Sequence, residues 1–263
     1  MARFCTLFSG SSGNCTYIGG ASGGILVDAG RNTKQILLAL EEIGVDVSSI
    51  RALLITHEHS DHVSAVKVLA GRKGIPVYAT EGTLQAMELG GYLSEKCTCR
   101  ALPEDAVEIA GMEISTFPTS HDCEESCGYL IRTADDRKIA VCTDLGFVSP
   151  EVRRALTGCD LVMLESNHDV RMLESGAYPY YLKRRILGEC GHLSNALCAC
   201  ELPGLIESGT TRLVLSHLSR ENNYPELARQ TAVAELEGAG MREGADYELT
   251  VAPRLAPGNR IVF

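Results

Sequence analysis

The chain has 263 residues, enough to bury one sizeable core, and 45% hydrophobic against 22% charged residues is the balance of an ordinary soluble domain. A formal net charge of −10 argues against a surface coated in cations for nucleic acid, but leaves a phosphodiester substrate open where bound dications reverse the local field. No apolar run approaches a membrane span, Met1-Ala2-Arg3-Phe4-Cys5 lacks a signal-peptide pattern, and the eleven scattered cysteines read as reduced thiols, so a cytoplasmic location without membrane contact is expected.

In chain order, Phe4–Phe8 is an expected strand, followed by Ser9-Gly10-Ser11-Ser12-Gly13-Asn14. The small residues and backbone N–H groups of that loop suit either an anion cradle or a plain hairpin turn, and it lacks the Gly-Lys-Ser/Thr of a Walker A loop. Cys15–Ile18 and Gly24–Val27 read as a hairpin around Gly19-Gly20, the second arm running into Asp28-Ala29-Gly30. A helix over Thr33–Ile43, capped by Asn32 and closed by Gly44, puts Ile36, Leu37, Leu40 and Ile43 on one face. The strand Ala52–Ile55 comes next, then a helix over Asp61–Ala70 stopped by Gly71, a strand over Ile75–Ala79 and a helix over Gly82–Leu89. Strands at Val107–Ile109 and Met112–Phe117 lead into Pro118-Thr119-Ser120-His121-Asp122. Cys127–Arg132 and Lys138–Thr143 flank the turn signal Asp135-Asp136, and the latter strand ends in Asp144-Leu145-Gly146. After a helix over Pro150–Leu156, the strand Leu161–Leu164 ends in Glu165-Ser166-Asn167-His168-Asp169. Helical stretches with Tyr178, Tyr180 and Tyr181 precede Gly191-His192-Leu193-Ser194-Asn195, which opens another helix. A strand over Arg212–Leu215 running into His217, a helix over Pro225–Glu237 and a strand over Tyr247–Val251 finish the chain. No linker or composition break appears, so residues 1–263 read as a single domain.

Three of the seven histidines fall within His57-Glu58-His59-Ser60-Asp61-His62, directly after an apolar strand. Histidines two apart in extended backbone face the same side, and imidazole with carboxylate at this density is a ligand set for a first-row metal, zinc being the commonest. Six strands end in a residue of ligand type: Asp28, His57, His121, Asp144, Glu165 and His217. One such residue has an ordinary reading as a cap or turn, whereas six beside a metal hexapeptide point to a site assembled at strand ends. Ile25-Leu26-Val27-Asp28-Ala29-Gly30 and Ala140-Val141-Cys142-Thr143-Asp144-Leu145-Gly146 echo each other and hint at two related halves. The cysteine spacings match no zinc knuckle. Lys183-Arg184-Arg185 is either the solvated face of a helix or a phosphate contact.

These residues resemble the metallo-β-lactamase superfamily: His57-Glu58-His59-Ser60-Asp61-His62 completes its His-x-His-x-Asp-His motif, and Asp28, His121, Asp144 and His217 match its remaining landmarks in order. The resemblance implies an α/β fold, a four-layered αββα sandwich. It further implies that His57, His59 and His121 hold one metal, that Asp61, His62 and His217 hold a second, that Asp144 bridges them, and that Asp28 orients a ligand. The chain is most similar to the YycJ/WalJ family of bacterial proteins through Phe8–Asn14, Glu165–Asp169 and the run from Tyr181 through Gly188 into Gly191–Asn195. That likeness implies 5′-to-3′ DNA exonuclease activity with two divalent ions, zinc or else manganese or iron. By likeness to ribonuclease Z, Glu165 would align His192 to protonate the leaving oxygen; Asp61, acidic and adjacent to the ligands, is the candidate general base or water orienter. Ser11, Ser12, Asn14, His168 and Asn195 are candidates for substrate contact; His168 reads equally as part of the metal shell or as a hydrogen-bonding core residue. A thioesterase or lactonase on the same metal core is the alternative, and a non-catalytic regulator is a third reading that the complete ligand set opposes. Nothing in the sequence sets the oligomeric state.

Overall fold

Parallel strands need long crossovers, and the alternation of apolar strands with capped helices in this chain supplies them. The computed structural model describes residues 1–263. Its first half runs β1 (Arg3–Phe8), β2 (Cys15–Gly20), β3 (Gly23–Val27), α1 (Thr33–Glu42), β4 (Ile50–Leu54), α2 (Ser60–Val63), α3 (Val66–Lys73), β5 (Val77–Ala79), α4 (Glu81–Leu89) and β6 (Cys99–Ala101). Then come β7 (Val107–Ile109), β8 (Met112–Pro118), β9 (Cys127–Arg132), β10 (Lys138–Cys142), α5 (Pro150–Leu156), β11 (Leu161–Glu165), α6 (Val170–Ser175) and α7 (Tyr180–Ile186). The chain closes with α8 (Asn195–Glu207), β12 (Arg212–Ser216), α9 (Pro225–Gly238), β13 (Glu248–Val251) and β14 (Ile261–Val262).

Two seven-stranded sheets result, in the orders β14-β1-β2-β3-β4-β5-β6 and β13-β12-β11-β10-β9-β8-β7. Both are mixed. In the first, β1, β2 and β3 pair antiparallel while β3 through β6 are parallel. In the second, β10 through β13 are parallel and β7 pairs antiparallel with β8. Parallel strands are buried on both faces, and β11 accordingly has every residue buried.

The chain resolves into two compact units: Met1–Thr116 with Cys123–Arg137 and Pro253–Phe263, and Phe117–Asp122 with Lys138–Ala252. In the first, α1 buries Ile36, Ala39 and Leu40 against Leu26, Leu53 and Ile55, while Leu38 on its outer face stays half-exposed. Each fully buried Ile or Leu contributes about 1.5–3 kcal/mol. In the second, α8 and α9 pack on each other, and Leu161, Val162, Leu164, Leu213 and Leu215 fill the strands. No helix is long and apolar enough to cross a membrane.

Most helices start where a side-chain cap sits: Asn32, Thr80, Ser149, Asp169 and Ser194 each accept a backbone N–H of the first turn. One expected helix is two. Within Asp61–Ala70, the Ala65 N–H donates to the Ala29 carbonyl (2.8 Å) and the Asp61 carbonyl accepts from Asn14 N (2.8 Å), so the 65-to-61 helical bond is replaced by tertiary ones. Helix α3 then runs through Gly71 and ends at Gly74, whose φ of 70° supplies the left-handed cap. The β2–β3 turn falls at Ala21-Ser22, because Gly20 and Gly23 still pair. The short strands β6 and β14 were not expected: β6 is fully exposed and joins its sheet by backbone pairing to β5, and β14 has only two residues.

Candidate metal centre

In the first unit, β4 stops at Leu54 and the chain bends at Thr56. Two bonds anchor that end: the Tyr129 hydroxyl donates to the Ile55 carbonyl (2.7 Å) and Cys127 N to the Thr56 carbonyl (3.1 Å). The rings of His57 and His59 then lie 4.7 Å apart, and those of His57 and His62 4.1 Å apart. His57 and His62 are buried, His59 and Asp61 partly so. Asp28, with φ of 63°, stands behind them: its Oδ1 accepts from Thr56 N (2.9 Å) and Thr56 Oγ1 (3.0 Å), and its Oδ2 lies 2.8 Å from His62 Nδ1. The loop Gly10–Asn14 closes this group. Asn14 Oδ1 accepts from Gly10 N, and Asn14 Nδ2 lies 3.0 Å from His62 Nε2 and 3.5 Å from Asp61 Oδ2. Gly30 makes the approach feasible, since a Cβ there would fall 1.6 Å from the Asp61 carbonyl oxygen.

In the second unit, Glu165 at the end of β11 is the centre of the arrangement. It is fully buried, and four donors saturate it: His192 Nδ1 (2.9 Å) and His217 Nδ1 (2.7 Å) on Oε1, Leu145 N and Leu193 N (both 3.0 Å) on Oε2. Burial alone would raise its pKa, but the charges and hydrogen bonds of His192 and His217 hold it well below the usual carboxylate range. Burial pulls His192 the other way, yet the Glu165 charge and hydrogen bond, with Asp144 behind them, leave its pKa above the ordinary histidine value. Asp144 follows β10 with φ of 57°, and its Oδ1 sits 3.8 Å from His121 Nε2, 3.6 Å from His192 Nδ1 and 3.4 Å from His217 Nδ1. His217, φ 55°, is fixed through its carbonyl, which accepts from Asn167 Nδ2 (2.9 Å). Asp144, Glu165, His192 and His217 bring their donor atoms within 4.8 Å of one another.

The donor set fits divalent metal. Nδ1 of each of four histidines is engaged internally: His57 by Thr56 Oγ1 (3.0 Å), His62 by Asp28, His121 by the Gly191 carbonyl (3.1 Å) and His217 by Glu165. Such partners fix the tautomer and make Nε2 the ring nitrogen a metal would take, although at His62 that nitrogen also lies 3.0 Å from Asn14 Nδ2. Glu165 itself is spent on its four donors and orients rather than ligates.

The other expected residues are placed as follows. Ser11 and Ser12 are exposed, whereas Asn14, His168 and Asn195 are buried. Neither ring nitrogen of His168 has a hydrogen-bond partner, and burial lowers its pKa to about 4, so the ring is neutral. Asn195 belongs to a buried network: its Oδ1 accepts from Ser166 Oγ (2.7 Å) and Asn223 Nδ2 (2.8 Å), and the same Asn223 amide reaches the Ser166 and Asn167 carbonyls. Sequence reasoning missed Thr56, Asn167 and Asn223. Thr56 lies between the end of β4 and the hexapeptide, next to His57, and was open to notice; Asn223 lies 57 positions from Ser166 and carried no local signal. In the basic cluster, Lys183 Nζ closes α6 by donating to the Glu174 and Gly176 carbonyls, and Arg185 forks onto Asp122.

A family model described as "Beta-lactamase superfamily domain" matches residues 24–218. The exodeoxyribonuclease YycJ of Bacillus anthracis is 36% identical over 94% of this chain and 94% of its own. The exodeoxyribonuclease WalJ of Streptococcus pneumoniae serotype 2 is 38% identical, over 94% of this chain and 93% of that one. Among solved structures, the metallo-β-lactamase fold protein YhfI of Bacillus subtilis superposes with a TM-score of 0.71 over 98% of both chains at 14% identity, which shows the fold expected from the motifs. With that match across most of its length and relatives above one-third identity, the chain belongs to the metallo-β-lactamase superfamily and, within it, to the YycJ/WalJ family, and it is a metal-dependent hydrolase.

Proposed function

We propose that the chain is a phosphodiesterase that removes nucleotides from DNA in the 5′-to-3′ direction, acting in the cytoplasm as one domain over residues 1–263. The observation that carries the reading is the Glu165–His192 pair: a histidine with raised pKa held at 2.9 Å by a buried carboxylate, next to ligand-type Asp144 and His217. Relatives matched along nearly their whole length are exodeoxyribonucleases, which supports DNA as the substrate.

In this reading His57, His59 and His121, and Asp61, His62 and His217, together with Asp144, would hold two divalent ions, zinc or else manganese or iron. When bound, such ions supply an acidified water and offset the charge that builds on the phosphoryl oxygens. The chain's own residues do the rest. Asp28 locks His62, Thr56 holds His57, and Gly191 holds His121, so each ring meets its ligand position without reorganisation. Asp61 orients the attacking water and accepts its proton. His192, with Nδ1 on Glu165, delivers a proton from Nε2 to the departing oxygen, a contribution of about 10²–10⁴-fold for a positioned acid.

The test pairs metal analysis with digestion of 5′-labelled single- and double-stranded DNA, a precursor tRNA and a thioester. The expected result is about two ions per chain and DNA shortened from the labelled end. Cleavage of the thioester alone would contradict the proposal.

A further inference from the structure

Of five phenylalanines and nine tyrosines, only Phe147, Tyr180, Tyr181 and Tyr224 are exposed, at 42%, 76%, 74% and 47%. All four lie in the second unit, on connections that leave the carboxyl ends of the parallel strands β10, β11 and β12. Those connections also carry Asp144, His192 and His217. Exposed apolar side chains are common singly; confinement of every exposed ring to the site-bearing edge is not what chance burial gives.

The most exposed pair opens α7, whose sequence Tyr-Tyr-Leu-Lys-Arg-Arg-Ile holds three cations and no acid in a chain of net charge −10. Lys183 and Arg185 are committed to internal partners, which leaves Arg184 as the exposed cation of the helix without one. The far end of α7 is tied to the site: the Ile186 carbonyl accepts from His192 N (2.9 Å), and Asp122, the partner of Arg185, lies 3.5 Å from His121 Nε2. At the helical rise, Tyr181 is roughly 8 Å along the axis from Ile186.

We infer that Tyr180 and Tyr181, with Arg184 beside them, form a stacking platform for the unpaired bases of the DNA strand that enters the site at His192. The inference rests on the proposed nuclease reading and adds a strand preference to it. Aromatic rings stack on any base, so the platform grips a strand without reading its sequence, while Arg184 meets the backbone phosphate. A paired end offers no free base faces, so single-stranded or frayed DNA is the favoured substrate.

Both tyrosines are solvent-facing, so Tyr180→Ala/Tyr181→Ala leaves the core intact. The metal-loaded full chain is assayed on a 5′-labelled single-stranded oligodeoxynucleotide and on bis(p-nitrophenyl) phosphate, a diester without bases. The double variant should raise KM for the oligonucleotide at least about tenfold, the loss of roughly one stacked base, with kcat and the small diester unchanged. The Tyr180→Phe/Tyr181→Phe variant keeps both rings and should restore the KM. An unchanged KM in the alanine variant, equal damage from phenylalanine, or an equal loss on the small diester would overturn the platform. Fluorescence anisotropy with a labelled oligo(dT) in EDTA separates the two readings. If no DNA is cleaved but the alanine variant still binds oligo(dT) at least about tenfold more weakly, the nuclease reading fails and the platform stands; equal binding, or a loss confined to RNA, overturns the platform.

Discussion

Asp28 in the first unit and Asp144 in the second share a backbone device: φ of 63° and 57°, followed two residues on by a glycine with no room for a side chain. Gly30 N donates to the Asn14 carbonyl and Gly146 N to the Ser120 carbonyl, so the resemblance extends to hydrogen bonding. A left-handed non-glycine residue costs about 1–3 kcal/mol, and aspartate tolerates it better than most. The two carboxylates use that strain in opposite ways. Asp28 is consumed by Thr56 and His62 and acts only through them. Asp144 turns Oδ1 toward three histidine nitrogens at 3.4–3.8 Å, which suits a ligand. Orientation in the second unit falls instead to Glu165, and there one carboxylate serves both His217 and His192. On the proposed mechanism, support in the first unit is thus separable from proton transfer; in the second it is not.

That contrast can be broken from either side. The largest effect is expected for His59→Ala, which should lose bound metal and drop hydrolysis to background; full metal content with full hydrolysis would refute the ligand assignment. Glu165→Gln should come next, since it removes the support of a ligand and of the acid together. Metal affinity should fall about 10–100-fold by titration and turnover by about 10²–10⁴-fold. The pH profile should move as well. The Glu165 charge offsets the downward pull of burial on His192, so without it the pKa falls and the alkaline limb of kcat shifts to lower pH. Asp28→Asn should cost metal affinity by a similar 10–100-fold yet leave that limb where it is. A shifted limb in Asp28→Asn would mean the two supports are not separable. The smallest effect concerns the thiols behind each aspartate. Burial raises both Cys15 and Cys142 well above the ordinary thiol value, with Asp28 adding to the first and Glu165 and Asp144 to the second. Both should resist iodoacetamide in the native protein while exposed Cys99, Cys190 and Cys200 react, as read by mass spectrometry.

The same contrast explains what the sequence could reveal. His57 to His62 are contiguous and follow one strand, so their local grouping can be read from the letters alone. Asp144, Glu165, His192 and His217 come from separate segments; the recurrence of polar residues at strand ends marks three of them, and His192 is marked only by the likeness to ribonuclease Z. That Glu165 serves His217 as well as His192 had no sequence signal, because it depends on a ring 52 residues away reaching the same oxygen. The break between α2 and α3 was hidden for a related reason: the Ala65 N–H is claimed by Ala29, a partner outside any helical window. Lys183 and Arg185 read as a basic face, and their internal bonds to α6 and Asp122 left Arg184 as the cation facing solvent.

The central claim is that His192, held by Glu165, protonates the leaving oxygen beside a metal centre it does not build. The most direct measurement compares His192→Ala with the wild type on two diesters, DNA and a p-nitrophenyl ester of thymidine 5′-phosphate, whose leaving group departs without a proton, with metal content measured in parallel. The account predicts unchanged metal, a loss of about 10²–10⁴-fold on DNA and little loss on the activated ester. Equal losses on both substrates, or none on DNA, would contradict it.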